Sequence, residues 1–319
     1  MHRQCAIVAI LLTVASLAGC GPVAKIAGGT WHQKFQWKAE DYFDDAQVIA
    51  LCKAIEKNDI AEIDRLVTAG ANVNAQGKGK MTPLLWAFPD NKLERFKRLL
   101  EHGADPNVMV ESDFNTRAVI MSGDSVTHMA CATEFPGYFE AVFAHGGDPN
   151  MLKSTKRARN QTPIFTTLQG RAPEKIKKVK FLIDQGVDLN HIDGMGYTPA
   201  MGALGQFNLA RMILEAGADP RAYHADQIQR LIHILARRGR ERQGWSPELR
   251  QDFDALVQCL EDHGESLQAA KEDIKRWDSF SGEEFRKKVD SEIAERKRRE
   301  RQEKKAAAPA PQDQPVNPD

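Results

Sequence analysis

Ser122, Gly123, Asp124 and Ser125 place two hydroxyls and a carboxylate side by side. A serine nucleophile needs a general base within hydrogen-bond reach, and no local spacing supplies one. Asp124 or Ser125 is better placed to cap the helix that follows. His102, His145 and His263 each precede a glycine, and their recurrence suggests metal ligation. Each also ends its own helical pattern, where the dipole favours a cation, and separate helix ends do not form a ligand cluster. Gly194-Met195-Gly196 is a lone GxG. GxSxG, HExxH, phosphate-loop and dinucleotide patterns are missing from the sequence, as are CxxC pairs and zinc spacings. These residues predict no enzyme, no cofactor and no metal.

The cysteines carry other chemistry. Residues 1–4 (MHRQ) are basic and residues 5–14 (CAIVAILLTV) are apolar. The run is shorter than the ~20 residues that a membrane-spanning helix requires, but suits a secretion signal. It ends in Leu17-Ala18-Gly19-Cys20, which resembles the bacterial lipobox. That resemblance implies cleavage before Cys20 and lipid on its sulfur, giving stable membrane anchoring through several acyl chains. Gly21 stands where an aspartate would imply inner-membrane retention, so the expected location is the outer membrane, facing the periplasm. Cys52, Cys131 and Cys259 then remain in an oxidising compartment. Each lies in an apolar helical pattern, so three buried thiols without a disulfide are expected.

Lysine plus arginine equals aspartate plus glutamate at 44 each, and loss of Arg3 with the signal leaves the remainder near −1. A binder of duplex nucleic acid carries a basic excess, so nucleic acid is excluded as the main partner.

The elements that must position any site are repeated. LVTAGANVN (66–74), LLEHGADPN (99–107), VFAHGGDPN (142–150), LIDQGVDLN (182–190) and ILEAGADPR (213–221) share one ending. Thr82-Pro83-Leu84, Thr162-Pro163-Ile164 and Thr198-Pro199-Ala200 recur between them, with Ser125-Val126-Thr127-His128 as a weaker copy. The glycines at 70, 103, 146, 186 and 217 lie 33, 43, 40 and 31 residues apart. The long intervals imply insertions near 109–124 and within 151–160 and 170–178. This pattern resembles the ankyrin repeat, with its TPLHxA start, two helices and GADxN turn. The resemblance implies an all-α ankyrin-repeat solenoid of helix-turn-helix units and hairpin loops. In it, threonine caps each first helix, proline fills the first turn and glycine closes the second helix with a left-handed residue. Asp105, Asp148 and Asp219 hold the turns. Only His128 matches the family histidine; Leu85, Phe165 and Met201 replace it.

The expected organisation is a signal at 1–19, a lipidated tether and aromatic lead-in at 20–44, and about five repeats at 45–224. A degenerate capping repeat at 225–267, a charged helix at 268–305 and a disordered tail at 306–319 follow. Trp31, Phe35, Trp37, Tyr42 and Phe43 either dock on the first repeat, the favoured reading, or join a partner surface. Residues 292–305 hold seven basic and four acidic side chains and read as a solvated helix.

A repeat array encloses little pocket and offers an extended face of hairpin tips and first helices. The expected partner is a protein. Candidate contacts are Lys78 and Lys80 on the first tip, Glu111, Asp113 and Phe114 in the insertion, Lys153, Lys156, Arg157 and Arg159 on the third tip, and His191 and Met195 on the fourth. Trp86, Phe88 and Phe165 are candidate anchors, although each also suits the core. The basic residues of the first and third tips have no acidic neighbour within either tip, which predicts a positive rim. The layout also resembles the immunity lipoproteins paired with type VI secretion phospholipase effectors. That implies occlusion of a lipase by binding alone. The alternative resemblance is to periplasmic ankyrin adaptors that accompany bacterial catalases.

Overall fold

The computed structural model describes residues 30–114, 120–153, 160–170, 174–224, 228–279 and 282–307. The expected signal and Cys20 lie outside them, as does the tail from 308. The chain divides into two compact units, one ending at Val187 and one beginning at Asp188.

In the first unit a short helix α1 (Trp31–Phe35) leads into successive pairs: α2 (Ala46–Lys57) with α3 (Ile60–Thr68), α4 (Pro83–Ala87) with α5 (Leu93–Glu101), α6 (Val126–Ala132) with α7 (Tyr138–Ala144), and α8 (Pro163–Gln169) with α9 (Lys175–Asp184). First helices stack on first helices, α2 on α4 and α6 on α8, and second helices stack α3 on α5 on α7. The second unit holds α10 (Pro199–Gly202), α11 (Phe207–Glu215), α12 (Leu231–Arg238), α13 (Pro247–Asp262), α14 (Leu267–Asp278) and α15 (Gly282–Ala307). There α11 packs on α13 and α12 on α14. The charged helix expected over 268–305 is therefore two helices. Ile274 and Trp277 of α14 are buried, so this segment packs as the first helix of a further repeat while the charge runs on into α15.

Several of these helices are only one or two turns long, too short to persist alone, and packing with end-capping must hold them. Thr82 and Thr198 accept hydrogen bonds from the Leu85 and Met201 amides, and Ser125 from that of His128. Thr162 precedes Pro163 likewise, but its hydroxyl does not cap. Second helices end on Gly103, Gly146, Gly186 and Gly217, at φ +82°, +88°, +76° and +103°. A Cβ at any of the four would meet nothing within 4 Å, so glycine is required there by backbone conformation and not by space.

After each glycine the turn aspartates act as expected. The carboxylates of Asp105, Asp148 and Asp219 accept from the amides of Asn107, Asn150 and Arg221, each at 2.8 Å. The asparagine that ends the motif then ties its turn to the next one. Asn74 donates to the Gly103 carbonyl at 2.8 Å and accepts from the Asp105 amide at 2.7 Å. Asn107 does the same to Gly146 and Asp148, and also accepts from the Thr127 hydroxyl at 2.8 Å. In the second unit Asn190 accepts from the Asp219 amide. Arg221, standing in the asparagine position, reaches the His263 carbonyl at 3.0 Å.

Cys52, Cys131 and Cys259 are free thiols. Burial pushes the Cys131 thiol up to about 12 and Cys52 well above its ordinary value, so both are unreactive. Cys259 is only half-buried, against the expectation of three buried thiols, because it sits at the edge of the apolar face of α13.

Asn107→Ala should lower unfolding free energy by about 2–3 kcal/mol, since each lost hydrogen bond contributes roughly 1 kcal/mol. Gly103→Ala should cost about 1 kcal/mol through the left-handed backbone alone. Urea denaturation at constant m-value measures both; an Asn107→Ala loss no larger than that of Gly103→Ala would show that the asparagine does not couple the turns.

Candidate interaction surface

Trp86 on α4 is wholly buried, because the aromatic lead-in folds over it. The His32 ring stacks on it at 4.6 Å between centroids, with Trp37 at 5.5 Å and Tyr42 at 5.6 Å. Phe88 lies between Phe96 and Tyr138, at 5.8 and 5.2 Å, and Phe165 is buried in α8. Phe114 is buried beneath the insertion, edge-on to Trp37 and Tyr42. The anchors expected at Trp86, Phe88 and Phe165, and the contact expected at Phe114, are thus core. A first-helix aromatic in a stacked repeat is already covered, by its neighbours or by the lead-in.

A polar cluster holds that lead-in down. Asp90 accepts from the Trp31 amide at 2.7 Å and from Arg95 at 2.9 Å, and His32 Nδ1 lies 3.4 Å away. His32 Nε2 meets the Trp86 carbonyl at 2.8 Å. Arg95, wholly buried, also donates to the carbonyls of Ile55 and Ala87. Burial opposes ionisation of Asp90, but the Arg95 guanidinium and the Trp31 amide, with the His32 ring beside them, outweigh it and hold the carboxyl well below the usual range.

One exposed surface of the first unit is its hairpin edge, where the lead-in, the first tip and the insertion form one layer. The Lys78 amide donates to the Tyr42 carbonyl and the Glu111 amide to the Gly79 carbonyl, at 2.8 and 2.9 Å. Lys80 pairs with Glu111 at 2.8 Å. Asp113 accepts from the Ser122 amide at 2.8 Å, and Phe114 donates to the Ile120 carbonyl at 3.0 Å. Asp124 holds the Met121 amide and forms a largely buried ion pair with Lys153. Lys78, Glu111 and Asp113 remain exposed. Lys78 and Asp113 rim a shallow cleft of about 250 Å³, lined also by Asp41, Tyr42, Ser112 and Phe114.

Two of the six residues expected to form a positive rim are thus ion-paired, while Lys78 stays exposed. Lys80 and Lys153 are neutralised by acids of the insertion, which lies far enough along the chain to escape a search for neighbours within each tip. Lys156, Arg157 and Arg159 lie outside the described residues. In the second unit Asp193 closes the fourth tip by accepting from the amides of Met195 and Tyr197. His191 is half-exposed there, and Met195 is 52% exposed.

Three exposed apolar side chains share one register: Met109 at 40% and Ile192 at 42%, which fall within the insertion 109–123 and the tip 191–196 expected to make contacts, and Leu152 at 44%, which sequence reasoning missed. Each stands two residues after a turn asparagine, at 107, 150 and 190. Aligning the repeats on that asparagine would have found all three.

Ser125 Oγ lies 2.8 Å from His128 Nδ1, the spacing of a nucleophile and its base. Both residues are wholly buried, and His128 Nε2 faces the carbonyls of Met151 and Gln161. Burial, with Lys153 nearby, pushes the His128 imidazole down to about 4. The pair braces α6 and has no access to substrate. His102, His145 and His263 bond to Asp64, the Ala141 carbonyl and the Cys259 carbonyl respectively. Among the described residues no group of histidine, cysteine and acidic side chains could hold a metal.

No family model matches the chain. An ankyrin-repeat protein of Acanthamoeba polyphaga mimivirus is 29% identical over 83 residues, which are 25% of this chain and 50% of that protein. This chain thus spans half the length of that relative. An ankyrin-repeat domain from Acinetobacter baumannii superposes with a TM-score of 0.50 at 22% identity, covering 66% of this chain and 96% of its own. The ankyrin-repeat domain of Bcl-3, of the IkappaB protein family, gives a TM-score of 0.49 at 20% identity, over 68% of this chain and 86% of that one. The fold is the all-α ankyrin-repeat solenoid, as the turn motif implied.

The Asp90 cluster makes the lead-in sensitive to acid. The folded carboxyl titrates below its unfolded value of about 3.9, so its contribution is complete at neutral pH and is lost as pH falls from about 4 downward. Asp90→Asn should cost roughly 3 kcal/mol at pH 7, as expected when one partner of a buried pair is removed. Denaturation followed by tryptophan fluorescence should show the gap between variant and wild type constant down to about pH 4 and narrowing progressively below it. A gap independent of pH would deny Asp90 this role.

Proposed function

We propose that this chain is a lipid-anchored protein-binding module of the bacterial envelope, which neutralises a type VI secretion phospholipase effector by covering it. The observation that carries the binding reading is the hairpin edge of the first unit. Met109, Lys78, Glu111 and Asp113 are presented to solvent on loops that backbone hydrogen bonds and the Lys80–Glu111 pair hold in place. Such an edge loses little entropy on docking, because its loops are already ordered. Its mixed charge suits a partner with a matching mixture more than a uniformly acidic one. The immunity reading and the periplasm-facing outer-membrane location rest on the resemblance of the lipobox and the irregular array. Among the described residues no helix is long and apolar enough to cross a membrane.

Replacing Cys20 by serine should abolish labelling by a fatty-acid analogue and leave an uncleaved precursor; persistent labelling would exclude lipidation there.

Co-expression tests the activity. With a periplasm-directed phospholipase effector encoded beside it, the wild-type chain should restore growth and form a complex with the purified enzyme. The triple variant Met109→Asp, Lys78→Glu, Asp113→Lys should bind at least tenfold more weakly. Its melting temperature should shift by only a few degrees, as expected for exposed positions. Binding of the variant at wild-type affinity would remove this edge from the interface. Failure of the wild-type chain to bind any such lipase would end the immunity reading and favour the adaptor.

A further inference from the structure

The repeat position that carries Met109, Leu152 and Ile192 is held in the next repeat by Tyr223, two residues after Arg221. At the first three the side chain is exposed. Tyr223 is instead covered, and from within the same unit. The Arg296 guanidinium of α15 lies 3.7 Å from the centre of its ring, and Arg230 lies 5.5 Å from it. The described residues around it are tied together. His224 donates to the Gln229 carbonyl at 2.7 Å, Tyr223 and Arg230 form a bridge, and Arg230 is tied to the buried Glu265 at 2.9 Å.

The helix that delivers Arg296 touches the unit along one face. Val289 is buried, Glu292 pairs with Arg276 of α14 at 2.9 Å, and Arg296 covers Tyr223. These residues fall at i, i+3 and i+7, a single stripe along a helix. Beyond Arg296 the helix runs on to Ala307, with Lys297, Arg298, Arg299 and Arg301 exposed. A long charged helix thus rests on its unit through a narrow contact made at the register position that elsewhere offers apolar side chains to solvent.

We propose that the surface formed by Tyr223 and Arg276 is a docking site for a partner's helix that carries an apolar residue, a glutamate three positions later and an arginine four beyond that. α15 occupies the surface with that same signature until such a partner displaces it. The chemistry is specific. An aromatic face attracts a planar guanidinium, and Arg276 supplies the cation that a preceding glutamate needs. The inference rests on the reading of the hairpin edge as the partner face, and it extends that reading to the second unit.

The test needs no partner protein. A fluorescent peptide of residues 282–307 is titrated into the full-length wild-type chain and into the full-length double variant Val289→Asp, Arg296→Glu. In the wild type the tethered helix competes at an effective concentration near the millimolar range, so the peptide should bind poorly. In the double variant, hydrogen exchange across 282–307 should accelerate and the peptide should bind at least tenfold tighter. Adding Tyr223→Ala to the double variant should return affinity to the wild-type level, and Arg296→Lys alone should give an intermediate gain. Equal peptide affinity for wild type and double variant would overturn the proposal. So would unchanged exchange in α15, or binding indifferent to Tyr223→Ala. Loss of lipase binding at the first unit's edge would leave all these outcomes as they stand.

Discussion

The amide of each turn asparagine serves a turn other than its own. Asn74 closes the backbone around Gly103 and Asp105, and Asn107 closes that around Gly146 and Asp148. A glycine in left-handed conformation exposes its carbonyl and redirects the chain, and the turn amide behind it has no helical partner. One asparagine side chain, with a donor and an acceptor on the same planar group, satisfies both. The spacing of the repeats follows from this contact, because the side chain reaches only the turn next to it. Insertions can therefore lengthen the outer loops, as at 109–124, without disturbing the stack. Arg221 marks where the rule changes. Its longer side chain makes the carbonyl bond to His263 across an interval that includes a degenerate repeat.

The rest of the first unit depends on that stack being closed at its exposed start. Trp86 lies on a first-helix face that an ankyrin array ordinarily leaves open for a partner. Here the chain covers it with its own aromatics and secures them with Asp90, His32 and Arg95. An aromatic cluster alone would tolerate sliding, since stacking is weakly directional. Buried charge-assisted hydrogen bonds are not tolerant in this way, so the lead-in has one register. The consequence for function is subtractive. The part of that face around Trp86 is spent on stability, and the proposed binding is accordingly assigned to the hairpin edge.

Helix starts, closing glycines and turn aspartates were legible in the sequence because each depends on local backbone geometry, which a few consecutive residues determine. The all-α array follows from their recurrence. The site was less legible, for a physical reason. Lys80 is paired with Glu111 and Lys153 with Asp124, about thirty residues away in each case, through insertions with no repeat period to align them. Electrostatic neutralisation across loops is a tertiary property, and charge counting within one tip cannot detect it. The same limit applies to Trp86. Its helical position identifies it as inward or partner-facing, and only the three-dimensional course of residues 30–43 decides between the two. Met109, Leu152 and Ile192 are the opposite case. Their register is set by the turn asparagines at 107, 150 and 190, and it becomes legible once the repeats are aligned there.

The paired lysines also change what the edge can contribute to recognition. A positive rim would act at a distance, accelerating encounter with an acidic partner and losing that effect within about 10 Å at physiological salt. With Lys80 and Lys153 already committed to the insertion, their charges instead stiffen the loops that carry Met109, Lys78 and Asp113. Recognition then depends on shape and short-range contact, whose energy resides in dissociation more than in association. A module of the kind proposed, which acts by staying bound, needs slow release. An edge whose ion pairs order its own loops is suited to that task, since the entropy of ordering is lost during folding and not at the moment of binding.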